Sequence, residues 1–469
     1  RGDLMPLILG TNSIKDTGYD VGNSLRFNDD SSDHLSQSLS SSFKSTWTWS
    51  GWVKRANLTS SGFFGNQRTD NNINSRFKLF FNSSNQIQWE IKDSTGNDDS
   101  ALKTNRLFRD VSAWYHIVFI YDTTNGTAGD RLQLYVNGTR ETSFATEDQA
   151  GSNFGSLWSS DVKHYVGVAN GNSGLDHYFD GYMAEVVFID GSAVAHTEFG
   201  EFDEDTGIWK PKDVSGLTFG SDGYYLDFEN SGSLGADVSG NGNNFTVNNL
   251  TSIDQTTDTC TNNFATMNPL ANTSGSQTFA QGNLNVDFPA GNDGRMYSTI
   301  GFSSGKFYAE FKIHSFTADR AHAVVLYTDI TSTGLFLSFC KTGNANTITA
   351  FGSAVQSSLA SFSAGDIIGM AVDADNGTVD FTRNGSAYGS QVTGLSSNFS
   401  GKDLFFGFFG EGHPSLTRVF NASVNFGGAQ TSAFTISSGN SDANGHGNFE
   451  HSVPSGYFSL NTKNLAEYG

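Results

Sequence analysis

Acidic residues at alternate positions between Glu201 and Asp205 (EFDED) are the nearest approach to a paired-carboxylate catalytic site in the sequence. Retaining glycoside hydrolysis uses two carboxylates about 5 Å apart, and alternate residues of a β-strand share one face. This segment follows the last predicted strand of its region and runs into Gly207 and Pro211, a composition typical of a turn. Because a turn does not hold two carboxylates at a fixed separation, we predict a solvated acidic turn without a catalytic role.

No other pattern in the sequence indicates catalysis. His116 lies inside the apolar strand pattern WYHIVFIY, where a lone histidine is expected to be a satisfied core residue rather than a base. No Ser/His/Asp or Cys/His arrangement can be assembled with any specificity, and there is no glycine-rich phosphate loop. Cys260 and Cys340 fall in different predicted domains, so we expect no disulfide between them. We therefore predict that the protein is not an enzyme.

Several loops carry the oxygen-bearing side chains that calcium prefers. They are Asn28–Asp33, Asn97–Asp99, Asp122–Asp130 and Asp373–Asn376. None has the spacing of an EF-hand loop, so two alternatives stay open: a structural calcium ion, or turns that are simply solvated. The sequence does not identify metal ligands. Zinc is not expected, because no pair of His residues has helical i, i+4 spacing within a helix and the two Cys stand alone.

Exposed aromatic side chains are the other feature with a chemical use, because an aromatic ring packs on the apolar face of a sugar. The candidates are Phe154, Trp158 and Tyr178, on the loop-rich stretch from Gly151 to Phe179. Nearby Asn and Asp would supply hydrogen bonds to sugar hydroxyls. The alternative is that these rings cap the edge of the core. We take the three as the predicted glycan-binding residues.

The elements that position these residues are predicted to be β-strands throughout, so the fold class is all-β. The sequence has 40 Phe, 15 Tyr and 7 Trp, which favour pleated, half-buried surfaces. Its 53 Gly, with abundant Asn, Ser and Asp, supply turns. The stretch Thr46–Val53 (TWTWSGWV) alternates with period two, and bulky side chains on both faces predict a core strand covered on each side. Gly51 would leave room there for a neighbouring layer.

Charge and hydropathy exclude two classes of partner. The net charge is −21, from 27 basic and 48 acidic residues, and no cluster of Lys and Arg is present to neutralise phosphates. We therefore expect no nucleic-acid binding and no attachment to anionic lipid. No apolar run reaches the length of a membrane span, so membrane insertion is not expected.

The chain of 469 residues predicts two or three domains. We predict two tandem antiparallel β-sandwiches joined by a Gly/Asn-rich connector. The connector is placed where apolar alternation thins over roughly fifty residues. The predicted boundaries are an N-terminal arm at 1–22, a first sandwich at 23–210, the connector at 211–275, a second sandwich at 276–430 and a C-terminal tail at 431–469 that packs on it.

The first region resembles the concanavalin A-like jelly roll of the laminin-G type. The resemblance rests on a series that runs from the Trp strand through WYHIVFIYD, LQLYVNGT and VGVAN to FDGYMAEVVFID. The matching positions are Trp52, Trp114, His116, Tyr121, Asp122, Tyr135, Asn137, Gly138, Gly181 and Glu185. The resemblance implies a jelly roll that often binds calcium through rim loops. Many members of the wider superfamily cleave β-glucans.

The second region resembles a SPRY-type sandwich. The matching segments are Phe307–Phe311 (FYAEF), Asp366–Asp373 (DIIGMAVD), Phe381 with Asn384 and Gly385, and Val424–Gly427 (VNFG). SPRY modules are also antiparallel sandwiches, and they mostly bind partners rather than catalyse reactions. The resemblance therefore implies a binding module.

The combination of both modules with the connector resembles structural proteins of tailed bacteriophages, especially marine ones. It implies a virion surface protein, in a tail fibre, spike or capsid appendage, that recognises or adheres to host-surface glycan. The implied partners are other virion proteins and further copies of the chain, three copies in the case of a fibre. Two alternatives stay open: a purely structural decoration or fibre protein without receptor binding and, third, a polysaccharide depolymerase.

Overall fold

The protein is nearly all β-structure, as predicted. The computed structural model describes residues 16–39, 44–58, 62–69, 76–92, 98–155, 162–171, 174–271, 276–289, 293–317, 322–328, 336–342, 345–411 and 418–469. These residues form two compact units, whose main spans are Thr17–Thr261 and Asn262–Gly469. Each unit contains two large antiparallel sheets, so the predicted tandem β-sandwich class is confirmed. No helix in the described ranges has the length and apolarity needed to cross a membrane.

The described residues of the first sandwich form twenty strands. One sheet, called here the Trp sheet, has the order β10-β9-β8-β3-β15-β1-β20, with β18 also paired to β15. The facing sheet has the order β11-β7-β6-β5-β4-β12-β2-β19. The strands are β1 Ser24–Phe27, β2 His34–Leu39, β3 Thr46–Arg55, β4 Gly62–Thr69, β5 Arg76–Phe81, β6 Ile87–Lys92, β7 Asp98–Thr104, β8 Trp114–Asp122, β9 Leu132–Val136, β10 Thr139–Arg140, β11 Phe144–Asp148, β12 Val162–Val166, β13 Ala169–Gly171, β14 Gly174–Asp176, β15 Gly181–Asp190, β16 Gly200–Phe202, β17 Trp209–Pro211, β18 Tyr224–Leu226, β19 Thr246–Asn248 and β20 Gln255–Thr256.

Strand β3 lies at the centre of the Trp sheet, between β8 and β15. Period-two alternation turns Trp47 and Trp49 into the core between the sheets, where Trp47 stacks on Tyr121 with ring centroids 5.2 Å apart. On the opposite face Trp52 is only 4% exposed, so both faces are covered, as the sequence predicts. Gly51 does not open space for another layer. A Cβ there would lie 2.7 Å from Cη2 of Trp49, whose ring already fills the gap.

The segment 211–275 is not a connector, contrary to the prediction. Up to Thr261 it belongs to the first sandwich: β18 pairs with β15, β19 with β2 and β20 with β1, and Tyr224 and Phe245 are core residues. From Asn262 onward the chain belongs to the second unit. These closing strands are two or three residues long, too short for an alternation pattern to stand out from the turns between them. The predicted arm also joins the first unit from Thr17 onward, while residues 1–15 lie outside the described ranges.

The second sandwich contains the remaining strands. Its larger sheet has the order β21-β22-β33-β24-β29-β30-β31, with β34 also paired to β24, and its smaller sheet has the order β23-β32-β25-β26-β27-β28. In the predicted C-terminal tail, β34 runs parallel to β24 and Leu465 enters the core. The strands are β21 Thr278–Ala280, β22 Asn285–Pro289, β23 Gly294–Tyr297, β24 Lys306–Phe316, β25 His322–Tyr327, β26 Phe336–Thr342, β27 Ala345–Ala350, β28 Ser353–Leu359, β29 Ile367–Asp373, β30 Thr378–Arg383, β31 Ser386–Ala387, β32 Phe405–Gly410, β33 Arg418–Asn425 and β34 Phe458–Ser459.

Helices are few and short. The α-helices are α1 Ser396–Phe399 and α2 Thr462–Tyr468. The 3-10 turns are Asp29–Ser31, Ala128–Asp130, His196–Glu198, Ser252–Asp254 and Pro269–Ala271.

Candidate functional site

Of the predicted glycan-binding aromatics, Phe154 and Tyr178 lie within the described residues, and they are at different ends of the first sandwich. The carbonyl of Phe154 accepts a hydrogen bond of 3.0 Å from the Tyr121 hydroxyl, at the end of the Trp sheet where Thr46 pairs with Asp122. Tyr178 precedes β15 at the other end, where Arg55 pairs with Gly181. The ten residues of β3 separate these two ends by about 30 Å. Trp158 lies outside the described residues. Phe154 packs against the edge of the core, in agreement with the alternative prediction for these rings.

Tyr178 instead lies beside the first of the predicted Asp-rich loops. We call the segments Asn28–His34 and Asp176–Asp180 together the rim site. Strand β1 ends where Phe27 pairs with Gly181, the first residue of β15. Asn28 follows β1 and Asp180 precedes β15, so these two residues are neighbours just beyond the end of the paired strands. The loop then makes a 3-10 turn at Asp29–Ser31 and returns into β2.

The aromatic part of the rim site is a series of three rings. The Tyr178 ring lies 5.9 Å from the His34 ring, which in turn lies 6.4 Å from Tyr165. His34 and Tyr165 are buried, whereas Tyr178 is half-buried. Burial lowers the pKa of His34, so the imidazole is neutral near pH 7. Its Nδ1 lies 3.0 Å from the Ser32 carbonyl, an acceptor, so Nδ1 carries the proton and donates it.

The carboxylates of the rim site lie in surroundings that disfavour their charge. Burial raises the pKa of Asp33 to about 6, and burial followed by the neighbouring Asp29 raises the pKa of Asp180 well above its ordinary value. The nearby cation Arg26 pairs with Asp254 at 2.6 Å. Carboxyl oxygens therefore cluster at this rim, and a ligand that supplies positive charge or hydroxyl donors would be favoured.

The other predicted calcium loops differ from the rim site. Asp122 accepts hydrogen bonds from Thr124, and Asp373 pairs with Lys306 at 2.9 Å, so both carboxylates are satisfied within the protein. Asn97 lies outside the described residues. In the described ranges no three His, Cys, Asp or Glu side chains converge as a set that could hold a metal ion. At the rim site, any metal would also need amide, carbonyl or water oxygens.

His116 and Ser50 are within hydrogen-bond distance, but their bond runs in the wrong direction for nucleophilic catalysis. The Trp209 indole N–H, which is only a donor, lies 2.9 Å from Nδ1 of His116. The proton of the neutral ring is therefore on Nε2, which donates to the Ser50 hydroxyl at 2.9 Å. A serine nucleophile needs a histidine nitrogen that accepts its proton. Burial also lowers the pKa of His116 to about 3, so the residue is a satisfied internal donor and acceptor.

The EFDED segment is part of a hairpin rather than a simple turn. Glu201 lies in β16, which pairs with β17, and Asp203 accepts two hydrogen bonds from Thr206. The ammonium group of Lys210 lies 3.7 Å from Glu201 and 3.3 Å from Asp203. The Thr206 hydrogen bonds lower the pKa of Asp203. A carboxylate held ionised by such partners is a poor general acid.

The sequence did not single out three residues that the rim site brings together. His34 lies about 130 to 150 residues before Tyr165 and Asp180 in the chain, and strand pairing brings the three together. Asp180 lies inside the predicted strand Phe179–Asp190, two residues after the predicted Tyr178, and that proximity was the one available sign of a role.

Comparison with known family models finds one match, which lies within the first sandwich. Residues 28–196 match the laminin-G family model described as the concanavalin A-like lectin/glucanases superfamily. No curated protein matches the chain.

Solved structures resemble parts of the chain at low identity. A heptameric SAP-like pentraxin from Limulus polyphemus is 14% identical, with a TM-score of 0.30, over 38% of this chain and 80% of the pentraxin. The SPRY domain of human HERC1 is 16% identical, with a TM-score of 0.25, over 30% of this chain and 87% of that domain. A putative carbohydrate-binding protein from Bacteroides ovatus is 15% identical, with a TM-score of 0.32, over 49% of this chain and 59% of that protein.

Proposed function

We propose that the protein is a non-catalytic glycan-binding protein and that its first sandwich binds the glycan at the rim site. The observation that carries the proposal is the half-buried Tyr178 ring, which lies 5.9 Å from the His34 ring in the rim site, where both segments carry carboxyl groups. A half-exposed aromatic ring offers an apolar face to a sugar, and adjacent acceptors bond its hydroxyls. Membership of residues 28–196 in a superfamily of lectins and glucanases is consistent with this choice of ligand.

Polar groups near Tyr178 suit sugar hydroxyls. Asp176 and His177 are both exposed at about half of their side-chain surface and lie 3.0 Å apart, Oδ1 to Nδ1. A carboxylate accepts up to four hydrogen bonds, and a vicinal diol of a sugar ring can donate two of them. Asp29, on the facing loop, accepts one bond of 3.3 Å from Asn57 and is partly exposed. The site would therefore bind the glycan from two sides of Tyr178.

Two observations support the non-catalytic part of the proposal over a polysaccharide depolymerase. His116 donates a hydrogen bond to the Ser50 hydroxyl, so it is not placed to accept a proton from that serine. In the EFDED hairpin, Glu201 and Asp203 are paired with Lys210. A direct test is to incubate the protein with extracted polysaccharide and measure new reducing ends. Steady release of reducing ends would favour the depolymerase.

We propose further that glycan binding serves attachment of a virion to its host, in a tail fibre, spike or capsid appendage, with other virion proteins and further copies of the chain as partners. The tandem of a laminin-G-type jelly roll and a second sandwich, and its resemblance to bacteriophage structural proteins, support this role. A purely structural decoration is the second candidate. It predicts that the rim site is covered by a neighbouring protein in the assembled particle.

The deciding experiment is binding of the labelled protein to candidate host cells, with extracted surface polysaccharide as competitor. We expect saturable binding that the polysaccharide abolishes and that Tyr178→Ala weakens about two- to twelvefold, because one aromatic contact contributes about 0.5–1.5 kcal/mol. Phe202→Ala is the matched control, since Phe202 is 50% exposed and lies outside the rim site. Equal binding by both variants would exclude the rim site, and no binding by folded wild-type protein would favour the structural decoration.

A further inference from the structure

The rim site carries an excess of negative charge. Its two segments contain five Asp and no Lys or Arg. Burial raises the pKa of Asp180 well above its ordinary value. The facing Asp29, Asp30 and Asp33 raise it further, so these carboxyl groups lie close enough to interact. The nearby cation Arg26 opposes the effect, but it is itself held in an ion pair of 2.6 Å. A cationic ligand is therefore attracted to this rim, and an anionic one is repelled.

The site also has unsatisfied hydrogen-bond acceptors. Among the described residues, three oxygens at the rim have no hydrogen-bond partner: Oδ1 of Asn28, Oδ1 of Asp33 and Oδ1 of Asp180. These residues are only 3%, 2% and 8% exposed, so water has little access to them. Because an unsatisfied buried acceptor is unfavourable, the site favours a ligand that donates hydrogen bonds over one that only accepts them.

The neighbouring amide donors are already engaged within the protein. Nδ2 of Asn57 donates to Asp29 at 3.3 Å, and Nδ2 of Asn249 donates to the Ser31 carbonyl at 2.8 Å. Nδ2 of Asn28 donates to the Ser31 hydroxyl at 2.9 Å. The donors that would complete the rim site must therefore come largely from the ligand.

An ammonium group suits each of these features. It carries positive charge and three N–H donors, and it has no acceptor. The half-buried Tyr178 ring would add a cation–π attraction. Two carboxylates are accessible to such a group: Asp176, two positions before Tyr178, is 46% exposed, and Asp30 is exposed on the facing loop.

We infer that the rim site selects a glycan with free amino groups, that is, unacetylated hexosamines, and discriminates against N-acetylated and acidic sugars. The inference rests on the proposed function and names the class of sugar. Asp30 and Asp176 would pair with the amino groups of the glycan, and one sugar ring would pack on Tyr178. N-acetylation removes the charge and adds a carbonyl acceptor, and a uronic acid would bring a carboxylate towards carboxylates. A lysine-rich peptide also offers ammonium groups, but on flexible stems that lack the rigid face of a sugar ring.

The test is calorimetric titration with three β-1,4-linked tetrasaccharides: chitosan, with free amines, chitin, with acetylated amines, and cellulose oxidised to its uronic acid. The titrations are made at pH 6 with chelator present, so that no metal ion contributes. Two exposed ion pairs contribute about 0.2–1 kcal/mol each, so chitosan is expected to bind about two- to thirtyfold more tightly than chitin. The uronic acid should bind most weakly. A tenfold rise in salt concentration should remove most of the preference for chitosan.

Two kinds of variant separate charge from packing. Asp30→Asn/Asp176→Asn should abolish the preference for chitosan and leave the affinity for chitin unchanged, whereas Tyr178→Ala should weaken both sugars alike. The matched control Glu204→Gln/Asp205→Asn removes two charges from exposed residues outside the rim site and should keep the preference.

Four results would overturn the inference: no binding of chitosan, equal or tighter binding of chitin or of the uronic acid, a preference that Asp30→Asn/Asp176→Asn retains, or binding of polylysine of equal charge as tight as that of chitosan. If a surface polysaccharide still competes for host-cell binding in that case, the inference alone fails. If neither chitosan nor any surface polysaccharide binds, the proposed function fails with it.

Discussion

Glu185 is expected to make the stability of the first sandwich depend on pH near neutrality. Its carboxylate is 6% exposed at an irregularity of β15, with φ of 51°, and Oε2 accepts bonds of 2.7 Å from Tyr225 and 3.3 Å from Tyr19. Burial raises the pKa of Glu185 from 4.5 to about 7, although the two tyrosine hydrogen bonds act in the opposite direction. In the folded state the carboxyl group therefore holds its proton to higher pH than in the unfolded chain.

The direction of the effect follows from proton linkage. Because the folded pKa is the higher one, the stabilisation is fully present below pH 4.5 and is lost as the pH rises through about 7. The difference of about 2.5 pH units corresponds to about 3 kcal/mol at 1.36 kcal/mol per unit. Asp33, whose pKa burial raises to about 6, contributes in the same direction over an overlapping range. A variant is therefore needed to isolate Glu185.

Glu185→Gln removes the titration and keeps an amide oxygen to accept the Tyr225 hydroxyl. The assay is urea unfolding followed by tryptophan fluorescence at pH 5 and pH 8. We expect the free energy of unfolding of the variant, minus that of the wild type, to be about 2–3 kcal/mol larger at pH 8 than at pH 5. At pH 8 only the wild type carries a buried charge at this position. A difference between the two proteins that does not change with pH would show that Glu185 titrates as an exposed carboxyl and would refute the reasoning.

Two further predictions concern the core and use the same unfolding assay. Asp258→Ala should cost about 3–5 kcal/mol, because it removes the carboxylate that lies 2.7 Å from the Lys54 ammonium, on a side chain only 1% exposed. Glu141→Ala, which breaks an ion pair with an exposed arginine, should cost less than about 1 kcal/mol, and equal losses would contradict the argument. Trp47→Ala should cost about 3–5 kcal/mol by leaving a cavity at the centre of the sandwich, whereas Phe202→Ala, at a 50% exposed ring, should have little effect. A loss of stability for Trp47→Ala as small as that for Phe202→Ala would show that the Trp sheet does not depend on Trp47.

The contacts of His116 connect parts of the first sandwich. His116 connects Ser50 and the Trp209 indole through its two nitrogens, and it stacks on Trp52 at 4.7 Å. These contacts attach the β16–β17 hairpin to the outer face of the Trp sheet. Replacing His116 is therefore expected to lower the free energy of unfolding, because it removes a ring contact and two buried hydrogen bonds.

The sequence alone was sufficient for the class of fold and for its central strand. Alternation with period two depends only on neighbouring residues, so TWTWSGWV predicted β3, and its side chains are buried on both faces as expected. The order of motifs from Trp52 to Glu185 likewise predicted, by resemblance, the laminin-G-type jelly roll that the family match supports. In long strands with bulky residues, the alternation of side chains is visible within the strand's own sequence.

Tertiary structure decided where the first sandwich ends and which residues share a site. The strands β18, β19 and β20 are too short to show alternation, and only their pairing partners, up to about 230 residues away, reveal that they close the sandwich. Phe154 and Tyr178 are 24 positions apart in sequence yet lie at opposite ends of β3. Asn28 and Asp180 are far apart in sequence and adjacent in space. Strand register sets such proximities, and register depends on the packing of the whole core rather than on any local run of residues.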